Sequence, residues 1–315
     1  MNYIIDNEKC QATINELEIK KRIHERLYND LCQSFRNTKH YTILKEQRVK
    51  ECGTLIQLNE NGEIISANFC KNRYCPICQW RKSRKSFAIL YESQKIVEAY
   101  GKYEFLFLTL TIKNKKNLSE GITHILESFK RLQDTKKYRK VVKGFVRTLE
   151  ITYNCESKEW HPHLHILLAV PDNYFVENEL YIDYEEWVNM WKIAIQADYY
   201  PMINIQKVDE KERENAIAEI AKYVVKPISI ELSKETELTY TELLRSTYNR
   251  RLTSMGGVYR EAHSVVDENR CRGDTEKTYN VLCSYQFNGY NYINTEVQEK
   301  ILIQSKKSLE KGATE

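Results

Sequence analysis

Alternation between polar and apolar residues is sharpest in residues 161–170, HPHLHILLAV, and it constrains the fold more than any other segment. Successive side chains of a β-strand point to opposite faces of the sheet. The apolar residues at even positions therefore share one face, and His161, His163 and His165 share the other. This pattern predicts a strand with one buried face and one polar face.

Neighbouring periodicities place this strand in a recurring order. Between residues 104 and 208 they predict β-α-β-β-α-β, with strands at 105–112, 145–153, 161–170 and 202–208 and helices at 119–134 and 184–197. This order is ferredoxin-like and implies an antiparallel sheet with both crossover helices on one face and the other face open. A further helix, 211–226, is stopped by Pro227. We therefore predict an α+β, ferredoxin-like fold with one extra helix.

The polar strand faces hold a candidate metal site. His163 and His165 lie ~7 Å apart along their strand. A hairpin that turns around residues 156–157 places Glu150 opposite His163, with Cβ atoms ~5 Å apart. Two imidazoles and a carboxylate form an open ligand set that suits Mn²⁺ or Mg²⁺. His161 is an alternative third ligand, and a half-exposed strand whose histidines face water is the plainer explanation.

The helix after the fourth strand has a polar face that contains Glu219, Lys222, Tyr223 and Lys226. Taken alone, such a face is typical of a solvated amphipathic helix. If the helix covers the histidine face, Tyr223 supplies a phenol oxygen for in-line attack on a phosphodiester. Lys222 or Lys226 would then place a positive charge beside the phosphate, and Glu219 could act as general base for a later water.

Four of the nine cysteines have the spacing of a zinc site. Two residues separate Cys75 from Cys78, Cys70 precedes this pair, and Cys52 lies further back. Four thiolates would bind a structural Zn²⁺ tetrahedrally, and four free thiols are the alternative. The remaining cysteines lack this spacing, and we expect them to be packing residues: Cys10, Cys32, Cys155, Cys271 and Cys283.

Positive charge is concentrated in two clusters, although the net charge is only +4. Residues 71–85 contain six basic residues and no acid, and residues 130–143 contain seven basic residues and one acid. Such clusters fit a phosphate backbone, although a solvated surface is an equally good explanation. The residues that we predict to contact DNA here are Arg81, Lys82, Arg84 and Lys85.

Composition excludes several classes of protein. A hydrophobic content of 42% supports a sizeable core, which excludes global disorder. No apolar run approaches the ~20 residues of a membrane span, and the first residues lack the pattern of a signal peptide. We therefore expect a cytoplasmic protein with reduced thiols and no membrane partner.

Three short motifs, taken together, resemble a known family. Phe107–Thr111 (FLTLT) is similar to the first motif of HUH endonucleases, and the triplet 163–165 (HLH) resembles their His-hydrophobe-His signature. Residues 222–226 (KYVVK) resemble the nucleophile motif of the family's rolling-circle plasmid replication initiators. Because the positions four residues from Tyr223 hold Glu219 and Pro227, the resemblance is to the single-tyrosine type.

The resemblance implies a nicking activity. Tyr223 would cut one strand at a plasmid's double-strand origin, at a single-stranded or hairpin nick site. It would stay on the 5′ phosphate and leave a free 3′ hydroxyl, and Glu219 would end the cycle by hydrolysis. A host helicase and a single-strand binding protein are the implied partners, and a transposase or conjugative relaxase of the same superfamily is the nearest alternative.

Two other functions fit part of the sequence. A histidine-triad nucleotide hydrolase would use His163 as its nucleophile, which leaves Tyr223 and the cysteines without a role. A non-enzymatic, zinc-containing DNA-binding regulator would explain the cysteines and basic clusters but not the histidine–carboxylate face.

The motifs predict a division of the chain into four parts. These are an N-terminal helical region (1–50), a four-cysteine zinc-binding module (51–86), an HUH nuclease domain (87–230) and a C-terminal region (231–315). The first and last regions could read the origin sequence, form a homodimer or do neither.

Overall fold

The computed structural model describes residues 8–39, 41–223, 236–273, 279–280, 283–295 and 302–303, without the side chains of residues 222–223, 236–237, 269–273, 279–280 and 302–303. The helices are α1 (Glu8–Arg36), α2 (Ile43–Lys50), α3 (Pro76–Tyr100), α4 (Leu118–Gln133), α5 (Lys136–Val141), α6 (Tyr184–Ala194), α7 (Arg213–Tyr223), α8 (Thr236–Thr247) and α9 (Val258–Gly273). The strands are β1 (Leu55–Leu58), β2 (Ile64–Ala67), β3 (Tyr103–Thr111), β4 (Gly144–Asn154), β5 (Glu159–Pro171), β6 (Ile203–Lys207), β7 (Thr253–Gly257), β8 (Tyr279–Asn280), β9 (Cys283–Phe287), β10 (Tyr292–Thr295) and β11 (Leu302–Ile303).

The chain is an α+β protein with antiparallel sheets, and it divides into two compact units. The first unit comprises Met1–Arg81 and Asp267–Glu315, and the second comprises Lys82–Val266. In the first unit, the four-stranded sheet has the order β10-β9-β1-β2. Its core combines residues of α1 with residues of β1, β9 and β10, so both ends of the chain contribute to it.

A five-stranded sheet of order β6-β3-β5-β4-β7 forms the centre of the second unit. Each pair of neighbouring strands is antiparallel. The predicted hairpin register is confirmed, because Glu150 pairs with His163 and Thr148 with His165. Thr111 of β3 pairs with His163 from the other side. Directly paired residues project to the same side of a sheet, so these polar side chains share one surface.

The leucine-rich side of this sheet is covered by α4 and α6. Leu108, Leu164 and Leu168 are fully buried on this side, and the ring of Phe129 in α4 meets that of Phe145 edge-on at 5.3 Å. Ile122, Ile125 and other apolar residues of α4 recur at helical spacing and are buried. Removal of this apolar surface from water is what holds the helices on the sheet.

The opposite side of the sheet is not open along its whole length, which corrects the prediction of an uncovered face. Phe107 of β3 and Leu167 of β5 share this side with the histidines, and they pack in one cluster with residues of α3, α7 and α9. The alternation therefore divides this face into two parts. Its apolar half binds three helices, and its polar half holds the histidines.

Several element boundaries differ from the predicted ones. Helix α3 begins at Pro76, within the predicted four-cysteine module, because proline is well suited to the first position of a helix. Helix α6 ends at Ala194, and Gln196 just beyond it has a left-handed φ of 54°, a common way to terminate a helix. Strand β7 was not predicted, and it adds a fifth strand at the edge beside β4.

Among the helices that the structure describes, none has both the length and the apolar character required to cross a bilayer.

Replacement of Leu108 by alanine tests the role of the leucine-rich face. Leu108 is fully buried between Ile166 and Ile205, so Leu108→Ala should lower the free energy of unfolding by about 2–5 kcal/mol. Leu238→Ala is the matched control, since Leu238 is 70% exposed and its loss should change stability by less than about 0.5 kcal/mol. Urea denaturation followed by circular dichroism measures both, and equal losses would contradict this assignment of the core.

Candidate functional site

The pairing of β4 with β5 brings one carboxylate and two imidazoles to a common point. Glu150 Oε2 lies 2.7 Å from His163 Nε2 and 2.8 Å from His165 Nε2. One possible ligand atom from each residue lies within 4.8 Å of the others. Glu150 and His165 are buried and His163 is partly exposed, so the cluster is reached from one side. Such a set of two nitrogens and one oxygen fits a divalent cation.

Neighbouring groups orient the two imidazoles. The Thr109 hydroxyl lies 3.2 Å from His165 Nδ1, and the His161 carbonyl lies 3.2 Å from His163 Nδ1. Because Nε2 of each ring points at Glu150, Nε2–H donates to the carboxylate in this arrangement. A bound cation would replace these protons, while the contacts at Nδ1 would keep the rings in place.

Burial lowers the pKa of His165, and its hydrogen bond to Glu150 acts in the opposite direction. The charge of His163 lowers this pKa further, whereas those of Glu150 and Glu219 raise it. His165 is therefore neutral at neutral pH, which is the form of imidazole that binds a metal.

His161 lies beside this group but does not complete it. Its ring centroid is 5.2 Å from that of His163, and among the residues described the metal-binding group comprises Glu150, His163 and His165. The structure therefore favours Glu150 over His161 as the third donor, the alternative that the sequence left open.

Helix α7 packs against β4 and β5 on the histidine side of the sheet. Ile217, Ile220 and Ala221 are buried in the cluster that includes Phe107 and Leu167. Glu219 lies close enough to His165 to act on its pKa. Tyr223 is the last residue of α7 in the described part of the chain. The side chains of Lys222 and Tyr223, and the whole of Lys226, lie outside the described residues.

The four predicted zinc ligands also come together, in the first unit. Sγ of Cys52 lies 3.6 Å from that of Cys78 and 3.5 Å from that of Cys75, and the sulfurs of Cys70 and Cys78 are 3.5 Å apart. Tetrahedral coordination with Zn–S bonds of ~2.3 Å requires sulfurs ~3.8 Å apart, so only a small expansion separates the cluster from that geometry.

Hydrogen bonding among these thiols makes their acidities unequal. Hydrogen bonds from the neighbouring thiols, chiefly that of Cys52, hold the pKa of the Cys78 thiol well below its usual range. Hydrogen bonds with the neighbouring cysteines, again chiefly Cys52, hold the pKa of the Cys75 thiol well above its usual range. A metal that bound all four sulfurs would release the protons that the thiols carry.

Helix α1 places two buried polar residues beside the cysteine cluster. Lys21 Nζ donates to the Cys52 carbonyl at 2.9 Å and pairs with Glu25. Burial, together with the Lys21 charge, lowers the pKa of His24 to about 4, so its ring is neutral. Nε2–H of His24 donates to the Val49 carbonyl at 2.8 Å, and Nδ1 faces the Cys75 sulfur at 3.5 Å. Nothing in the sequence indicated that Lys21 and His24 lie beside the cysteines, because neither residue belongs to a recognisable spacing motif.

The other cysteines whose side chains the structure describes divide into two groups. Cys10, Cys32 and Cys283 are buried, as expected of packing residues. Cys155 is exposed in the turn between β4 and β5, which corrects the expectation that it packs, and the side chain of Cys271 lies outside the described residues.

Comparison with known proteins gives one consistent result. The sequence profile of a family described as Replication protein matches residues 61–292. The chain belongs to the Replication protein family. Residues 61–292 include the whole histidine cluster and every member of the cysteine cluster except Cys52. The match confirms the resemblance to plasmid replication initiators that the motifs indicated.

Individual relatives support this membership. A "Protein rep" of Streptococcus pneumoniae serotype 2 is 37% identical over 228 residues, which cover 68% of this chain and 70% of the relative. A "Protein rep" of Bacillus amyloliquefaciens is 34% identical over 71% of this chain and 73% of its own length. A "Protein rep" of Lactiplantibacillus plantarum is 29% identical over 82% of this chain and 92% of its own length. No solved structure matches the chain.

The predicted DNA-contacting residues of this family member lie on α3. Arg81, Lys82, Arg84 and Lys85 are all exposed. The Arg81 guanidinium lies over the Phe69 ring, 4.6 Å from its centroid, in a cation–π contact. Residues three and four apart share a helix face, so Arg81, Arg84 and Lys85 lie on one face of α3, its basic surface.

Exchange of the buried carboxylate tests metal binding at the histidine cluster. Glu150→Gln removes the only anionic donor of the group that the structure describes, so binding of Mn²⁺ should weaken at least tenfold. Glu127→Gln replaces a glutamate outside the cluster and should leave the affinity unchanged. Mn²⁺ titration followed by electron paramagnetic resonance measures both, and wild-type affinity in Glu150→Gln would contradict the assignment.

Proposed function

We propose that this protein initiates plasmid replication by nicking one DNA strand through a metal-dependent tyrosine transesterification. The convergence of Glu150, His163 and His165 in a member of the Replication protein family is the observation that carries this proposal. The substrate is the plasmid's double-strand origin, cut at a single-stranded or hairpin site in the cytoplasm.

The histidine cluster fits Mn²⁺ or Mg²⁺ because its donors are two imidazoles and a carboxylate on one sheet face, with open positions for a phosphate. A cation held there would orient the scissile phosphate and offset the charge that develops on it. Thr109, through its contact with His165, keeps one donor in the required orientation.

Tyr223 is the nucleophile in this proposal. Its phenol oxygen loses a proton and bonds to the scissile phosphorus, and the bond from phosphorus to the 3′ oxygen breaks. The strand's 5′ phosphate is then attached to tyrosine, and the departing oxygen takes a proton to become a free 3′ hydroxyl. The effect of Glu219 on His165 supports this assignment, because Tyr223 follows Glu219 by four residues on α7, one turn along the same helix face.

Lys222 and Lys226 complete the proposed chemistry by placing positive charge beside the phosphate. Termination uses Glu219 as general base. Glu219 accepts a proton from water, the water oxygen bonds to phosphorus, and the phenol of Tyr223 leaves with a proton. Rejoining by the 3′ hydroxyl of a strand is the same exchange with a different nucleophile.

The remaining assignments form part of the same proposal. The order β6-β3-β5-β4 with its antiparallel pairs supports a ferredoxin-like nuclease domain over residues 87–230. The four-cysteine cluster supports a structural Zn²⁺ module over residues 51–86, with Arg81, Lys82, Arg84 and Lys85 on DNA. Residues 1–50 and 231–315 would flank these parts. A host helicase, a single-strand binding protein and a second copy of the chain are the proposed partners.

Replacement of Tyr223 by phenylalanine tests the mechanism, because it removes the attacking oxygen and little else. Tyr223→Phe should abolish the covalent protein–DNA adduct and the relaxation of supercoiled origin plasmid with Mn²⁺, while DNA binding persists. Tyr100→Phe is the control, since Tyr100 is 83% exposed at the end of α3 and should nick normally.

Mass spectrometry of the adduct separates the competing functions. An adduct on Tyr223 supports the proposal, and residual adduct in Tyr223→Phe would contradict it. Phosphohistidine on His163 would indicate a histidine-triad mechanism instead. Plasmid that stays supercoiled with bound wild-type protein would indicate a non-enzymatic regulator.

Replacement of Cys75 by serine tests the zinc module. Cys75→Ser should lose the bound zinc and lower the melting temperature, because structural zinc contributes directly to folding. Cys155→Ser removes an exposed thiol and should keep both properties of the wild type. Elemental analysis by mass spectrometry gives the zinc content, and full zinc content in Cys75→Ser would refute the ligand assignment.

A further inference from the structure

The segment Tyr199–Met202 lies at the end of the connection between α6 and β6, and it exposes two large side chains. Tyr200 is 72% exposed and Met202 is 81% exposed. Neighbouring apolar groups left in water are a common sign of an interaction surface. Neither the metal cluster nor the basic surface of α3 includes this segment.

Hydrogen bonds fix this segment to the strand that borders the metal cluster. The Thr111 hydroxyl donates to the Met202 carbonyl at 2.7 Å, and Thr111 pairs directly with His163. The backbone N–H of Lys113 donates to the Tyr199 hydroxyl at 3.0 Å. The exposed side chains are thus held at the end of β3, next to the proposed site of cutting.

Lysines surround the two tyrosines. The Lys113 Nζ lies 4.1 Å from the centroid of the Tyr199 ring, and the Lys192 Nζ lies 3.8 Å from that of Tyr200. Two more lysines, Lys115 and Lys116, follow in the loop after β3. Asp198 is the single acid in residues 113–117 and 196–202, so positive charge predominates.

We propose that Tyr199, Tyr200, Met202, Lys113 and Lys116 form a platform for single-stranded DNA beside the scissile phosphate. Proteins bind single strands by stacking bases on aromatic rings while cations contact the phosphates, and this surface supplies both. The bases of a duplex are already stacked on one another, so exposed aromatic rings favour an unpaired strand. The platform rests on the proposed nicking function, because it holds the strand that enters that site.

Tyr200 gives the sharpest test. The full chain is titrated against fluorescein-labelled oligothymidylate, and binding is followed by fluorescence anisotropy. Loss of one base–aromatic stack should weaken the binding of Tyr200→Ala by at least about fivefold, and Tyr200→Trp should restore it. Tyr100→Ala removes an equally exposed tyrosine elsewhere in the second unit and should bind as the wild type does.

Lys116 tests the electrostatic part. Each phosphate contact on a single strand contributes ~0.7 to the slope of log affinity against log salt concentration. Lys116→Ala should therefore lower that slope by about this amount, whereas the exposed Lys102→Ala should leave it unchanged.

Unchanged oligothymidylate binding in Tyr200→Ala would overturn the platform. An equal loss of affinity for the same strand annealed to oligodeoxyadenylate would also overturn it, because that result would indicate a duplex-binding surface. These results are separate from the nicking function. A wild-type protein that nicks while Tyr200→Ala binds normally disproves the platform alone. A wild-type protein that forms no adduct while Tyr200→Ala binds weakly disproves the nicking alone.

Discussion

The pairing of β4 with β5 is the interaction on which the candidate metal centre depends. Each ladder bond aligns the two strands so that Glu150 faces His163, and a shift by one residue would turn either side chain to the other face of the sheet. Burial of Leu164, Ile166 and Leu168 on the other side makes such a shift costly, because it would expose them to water. The core therefore fixes the geometry of the site, and the polar residues are held in position without depending on their own interactions.

The central sheet and its histidine cluster could be predicted because alternation encodes both the strand and its two faces. The position of Glu150 followed from the length of the hairpin. Strand β7 could not be predicted, since its sequence TSMGG has no alternation and two glycines. Its glycines are explained only by the folded neighbour, because a Cβ on Gly256 would lie 2.3 Å from the Phe145 ring. The packing of α3 and α9 on the histidine side was not predicted, because Phe107 and Leu167 are the apolar exceptions on a face whose other residues are polar.

The cysteine cluster was predictable from spacing, whereas its surroundings were not. Lys21 and His24 lie on α1, far from the cysteines in sequence, and both are fully buried beside them. A buried lysine is tolerated only where its charge is compensated, here by Glu25 and the Cys52 carbonyl. A tetrathiolate zinc centre carries net negative charge, so the same lysine also suits the occupied site. The cysteine cluster and the N-terminal helix are thus linked electrostatically as well as by packing.

The sheet of the first unit joins strands from opposite ends of the chain, with β1 paired to β9 and Leu58 facing Cys283. Contacts between such distant segments form late, because the loop between them must first be closed at an entropic cost. During synthesis, the four clustered cysteines leave the ribosome long before β9 and β10 are translated. The nascent chain must therefore hold β1 against β2 alone until β9 has been translated.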